Sequence, residues 1–151
     1  IFLNGAINRQ HLNDHFLFVQ KLQGTFLKFD LSTQNSFFEL PSEFSVDSEE
    51  EHFTFYDVQF TNDFLIASDI FSNENYGLYV FDNLKGDTEF ANFTEIENSL
   101  YSFGTFNDIV YIYDSLNYAL NILRIADDGS ISKIRSQEFI VARTYMLSMN
   151  F

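Results

Sequence analysis

Cysteine and tryptophan are absent from the 151-residue chain, proline occurs once and glycine six times. Without cysteine there is no disulfide scaffold, no zinc–thiolate or iron–sulfur centre and no thiol nucleophile. Positive charge is scarce as well. Eight Lys and Arg stand against 22 Asp and Glu, a formal net charge of −14. Phosphate binding needs a basic patch and the cations do not cluster along the chain, which excludes nucleic acid as a partner. No apolar run approaches the roughly 20 residues that span a bilayer. The chain also lacks a Ser-His-Asp order, a paired-His motif and a glycine-rich phosphate loop. Its three histidines are His11, His15 and His52. The first two flank an expected hairpin and point to opposite ends of two strands, so they do not converge on one metal. No catalytic residue, metal ligand or cofactor is assigned.

What the chain has in quantity is phenylalanine (20) and tyrosine (8). Such content buries enough surface to offset chain entropy and excludes a disordered acidic tail. It is also distributed in a repeat. Asn-Asp recurs at Asn13-Asp14, Asn62-Asp63 and Asn107-Asp108, spaced 49 and 45 residues. An apolar run follows each pair, at residues 15–19, 64–67 and 109–113. A second run follows at 26–29, 78–81 and 120–123, and a third at 36–40, 89–93 and 131–134. A further apolar segment precedes each pair, at 6–12, 55–61 and 100–106. β-Branched and aromatic enrichment, partial period-2 alternation and polar punctuation mark all of these as strands. Asn and Asp tolerate left-handed backbone angles and satisfy turn amides, so the pair suits the hairpin between first and second strands. Asp127-Asp128-Gly129-Ser130 and Lys85-Gly86-Asp87 serve as turns between third and fourth strands.

Four antiparallel strands in about 45 residues, copied in series, resemble the blades of the β-propeller superfamily. The likeness is to a divergent WD40-like blade and runs from about Gly5 onward. The Trp-Asp signature of WD40 repeats is missing, as is the Gly-Gly of kelch repeats, so no functional residue carries over. The expected fold is all-β: blades at 4–52, 53–98 and 99–139, then the first strand of a fourth at 140–151. Ten or more strands also fit an up-and-down barrel binding an apolar ligand, although a barrel has no need to repeat in fours. Propellers close with about 4–8 blades. The expectation is therefore a ring completed by further chain, by a partner subunit or by self-association.

In such a blade the loops between second and third strands share one rim with the connections to the next blade. That rim takes Glu74 and the stretch 39–51, where six of thirteen residues are acidic, including Glu49, Glu50 and Glu51. Asp69 and Asp114 each lie seven residues beyond their Asn, with Gln20 as counterpart in the first unit. These seven residues are the candidate binding site. One reading is a solvated rim whose aspartates accept loop amides. The other is an electronegative surface that steers a basic protein partner, or a ring of oxygens for Ca²⁺. The expected function is a protein–protein interaction scaffold. The alternative is a ligand-binding or hydrolytic propeller domain whose site is shared with blades outside this segment.

Overall fold

A computed structural model describes residues 9–21, 24–32, 41–46, 55–69, 77–96, 103–114 and 117–139. The strand expected at 140–149 lies outside them. Among the described residues twelve strands are formed and there is no helix. The first sheet is β1 (Arg9–Leu12), β2 (Phe16–Gln20), β3 (Thr25–Asp30) and β4 (Ser42–Ser45). The second is β5 (Asp57–Phe60), β6 (Leu65–Asp69), β7 (Gly77–Asp82) and β8 (Glu89–Glu95). The third is β9 (Phe103–Phe106), β10 (Ile109–Asp114), β11 (Ala119–Ile125) and β12 (Ile131–Glu138). Each sheet is an antiparallel meander in chain order. They are three separate sheets and not one closed barrel, which removes the barrel alternative.

The turns explain the tight spacing. Asn13 Oδ1 accepts the amides of His15 (3.0 Å) and Phe16 (2.8 Å), closing the first hairpin. In the second hairpin Thr61 takes that place, its Oγ1 accepting the Phe64 amide at 3.0 Å, and Asn62-Asp63 form the tip. In the third, Asn107-Asp108 is the whole loop, with Asn107 at a left-handed φ of 54°. The three Asn-Asp pairs thus sit in three first hairpins but at different turn positions. The alignment read from them finds each hairpin and slips in register.

One strand departs from expectation. The closing strand of the first unit, placed at 36–40, falls outside the described residues, and β4 lies at Ser42–Ser45. That is inside the acidic stretch read as a loop. Phe44 and Val46 alternate into the core while Glu43 and Ser45 face out. Glu43 meets Lys21 at 3.0 Å. Charge density in the sequence obscured a period-2 strand.

Alternation then assigns each sheet two faces. Phe16, Phe18, Phe26 and Phe44 of the first sheet meet Val58, Leu65, Ala67 and Phe81 of the second, joined by Phe55. On the other face of the second sheet, Ile66 and Leu78 meet Phe103, Val110, Ile112, Leu123 and Ile125 of the third. The first interface is aromatic and the second largely aliphatic. β4 approaches β8, and β5 approaches β9. Like edges therefore adjoin and each trailing face meets the next leading face. Together these fix the strand directions, so equivalent strand ends share one rim.

Phe26 is the centre of the aromatic layer. Its ring stacks on Phe44 and Phe55, both at 5.3 Å, and meets Phe81 edge-on at 5.8 Å. Such contacts add to what area burial alone supplies. Truncating it opens a cavity between two sheets that each hold the other in place. Phe26→Ala is expected to cost about 3–5 kcal/mol of folding stability, read by urea denaturation. A loss below about 1 kcal/mol would mean that the layer is not packed as described.

Candidate functional site

Gln20, Asp69 and Asp114 each end the second strand of their sheet, at one rim. Gln20 is fully buried; its Nε2 donates to the Phe55 carbonyl at 3.0 Å, tying the first sheet to the segment entering β5. The His11 ring nitrogen lies 3.5 Å from the Gln20 Oε1. His15 sits instead in the β1–β2 turn, so these two histidines do not converge, and His52 lies outside the described residues. Asp114 holds its own turn. Its Oδ1 accepts the Asn117 amide at 3.0 Å and its Oδ2 the Asn117 side-chain amide at 2.7 Å. The Asp69 side chain, Glu49, Glu50, Glu51 and Glu74 are outside what the structure describes. Among the described residues no three His, Asp or Glu gather closely enough to hold a metal ion. None of the helices needed to cross a membrane is present there either.

Other described carboxylates are spent in the same way. The Ser32 hydroxyl and amide bond Asp30 at 2.6 and 2.8 Å, and the Ser130 amide bonds Asp128 at 2.9 Å. Hydrogen bonds to these serines lower both pKa values from their ordinary range. Turn geometry, not a ligand, explains these acids.

The charged group that sequence reasoning missed is Lys28. It stands on β3 among phenylalanines and is 6% exposed. Its Nζ donates to the Gly86 carbonyl at 2.6 Å and Thr88 Oγ1 at 2.9 Å, and lies 4.6 Å from the Phe16 ring centre. The receiving turn is shaped in advance: Asn83 adopts a φ of 54° and its carbonyl accepts the Gly86 amide at 3.0 Å. Lys28 thus latches the first sheet to the β7–β8 turn of the second. The signal was present, since Lys28 shares parity with Phe26 in a period-2 strand.

Burial lowers the Lys28 pKa from 10.5, with Asp30 and Asp87 pulling it back up. A lowered lysine pKa means that the unfolded chain binds more protons below 10.5, so stability rises with pH as the folded-state pKa is passed. Wild-type protein should therefore gain stability relative to Lys28→Met between neutral pH and pH 10. At pH 7, Lys28→Ala is expected to cost about 2–3 kcal/mol, since its acceptors lose a charged donor. Thermal melts across that range check both statements.

A second feature is the trailing face of the third sheet. Ile109, Tyr111, Tyr113, Leu120 and Ile122 alternate onto it with Phe106 beside them. Phe106 is 67% and Tyr113 50% exposed, while the corresponding faces of the first two sheets are covered. Cations dispersed in the sequence also gather here. Arg135 pairs across from Ile122, and Arg124 follows Ile122 on the same face.

No protein-family profile matches the sequence, and no curated protein matches it. Solved structures do. A candidate 6-phosphogluconolactonase from Bacteroides fragilis NCTC 9343 superposes with a TM-score of 0.65 at 12% identity, over 87% of this chain and 39% of that one. A functionally unknown protein from Desulfotomaculum acetoxidans DSM 771 gives 0.62 at 14%, over 91% and 43%. BamB from Moraxella catarrhalis, a β-propeller, gives 0.53 at 17%, over 86% and 34%. The chain spans less than half the length of these structures. At such identities the likeness is one of fold: a propeller-like series of four-stranded sheets.

Proposed function

We propose that the chain is part of a larger β-propeller acting as a protein–protein interaction scaffold, its blades at 4–52, 53–98 and 99–139. Its acidic rim, with Asp69, Asp114 and the acids at Glu49, Glu50, Glu51 and Glu74, attracts a basic partner. Gln20 braces the rim from within. What supports this reading is the recurrence of a polar or acidic residue where each second strand ends, on a chain of net charge −14. A rim of one sign accelerates encounter with the opposite sign and loses that advantage in salt. The likeness to a candidate lactonase favours a second reading, a ligand-binding or hydrolytic propeller with its site shared with further blades.

Fluorescence titration with a lysine-rich peptide separates the two. The scaffold reading expects binding that weakens about tenfold or more between 50 and 300 mM salt, and weakens again in Asp69→Asn/Asp114→Asn. Absence of binding, or binding indifferent to salt, contradicts it. Turnover of 6-phosphogluconolactone by the protein from its complete reading frame would favour the hydrolytic reading.

A further inference from the structure

The two interfaces between sheets repeat one docking geometry. At the first, the β7–β8 turn of the second sheet sits over β3, where Lys28 holds Gly86 and Thr88. At the second, the β11–β12 turn of the third sheet sits over β7. There a Cβ on Gly129 would lie 3.3 Å from Val80 Cγ1 and 3.1 Å from the Ala91 Cβ, and Gly129 has a φ of +79°. Lys28 and Val80 occupy the same place: each pairs across with the residue five positions beyond the start of its first hairpin turn, Phe18 after Asn13 and Ile66 after Thr61. In the third sheet that place belongs to Ile122, paired with Tyr111. Among the described residues, nothing lies within 4 Å of where a Cβ on neighbouring Gly104 would be.

We propose that this face seats a fourth four-stranded sheet, supplied by the same polypeptide from outside residues 9–139. Its turn between third and fourth strands rests over Ile122 and turns a carboxylate toward Arg124 and Arg135. Three observations converge on this occupant. The stacking already made twice leaves the third trailing face open with the same apolar alternation. The β7–β8 and β11–β12 turns each carry a carboxylate, Asp87 beside Lys85 in one and Asp127 and Asp128 in the other. Both arginines are exposed on an otherwise acidic chain, and among the described residues Arg124 forms an ion pair only with the exposed Asp108, at 3.4 Å. A second copy fits less well, because Val19 and Leu27 on the leading face of the first sheet are already buried. The inference rests on the ring reading above but not on the acidic rim.

The test places a benzophenone amino acid at Tyr113 in the protein expressed from its complete reading frame, followed by irradiation and peptide mass mapping. The expected result is a crosslink within one polypeptide to a strand or turn outside residues 9–139. Ile122→Asp should reduce its yield at least threefold and lower Tm by about 5 °C or more. Crosslinks joining two polypeptides overturn the proposal while sparing a ring completed by a partner. Crosslinks confined to residues 9–139, or none, overturn it together with the ring. A fourth sheet found here without peptide binding at the rim would sink only the scaffold reading.

Discussion

Leu65 and Ala67 of β6 face the aromatic layer while Ile66 between them faces the aliphatic one, so the second sheet is the common wall of both cores. A four-stranded antiparallel sheet is only marginally stable unless at least one face is covered. Here the central sheet has both faces covered, and each flanking sheet relies on it for one. Fully burying a side chain such as Phe or Ile contributes about 1.5–3 kcal/mol. The backbone bonds of each meander hold strands within a sheet, but side chains hold the sheets to one another. Among the described residues, polar ties between sheets include Lys28 to Gly86, Gln20 to Phe55 and Thr105 to the Phe60 carbonyl at 2.8 Å.

The contrast between the layers follows from geometry. Aromatic rings fill wide gaps, and four from the first sheet interleave with Phe55 and Phe81. Val110, Ile112 and Leu123 are smaller and bring the third sheet against Ile66 and Leu78. Gly129 serves that approach, since it both adopts a positive φ and leaves room for Val80. Lys28 does for the first interface what Gly129 does for the second, by a charge-assisted hydrogen bond in place of a missing side chain.

Much of this was written in the chain. Period-2 runs after each Asn-Asp located the hairpins, and the repeat gave four strands per sheet. Register was less legible, because Thr61 can replace Asn13 at a turn while the Asn-Asp pair moves one place along. β4 was hidden by its charges: in Glu43-Phe44-Ser45-Val46 only the two apolar residues face inward, and acidic neighbours made the segment read as loop. The site was harder still. Gln20, Asp69 and Asp114 recur in sequence and share a rim, yet recurrence cannot tell a buried amide from a turn carboxylate. Arg124 and Arg135 lie eleven residues apart and share a face only because β11 turns back into β12.

Native-state hydrogen exchange, followed strand by strand, tests the shared-wall account most directly. If the second sheet supports both neighbours, amides of β6 and β7 should be the slowest in the molecule and exchange only with global unfolding. β1, β4 and β12 should exchange earlier. Protection in β6 and β7 no greater than in β12, or sheets that open independently of one another, would contradict it.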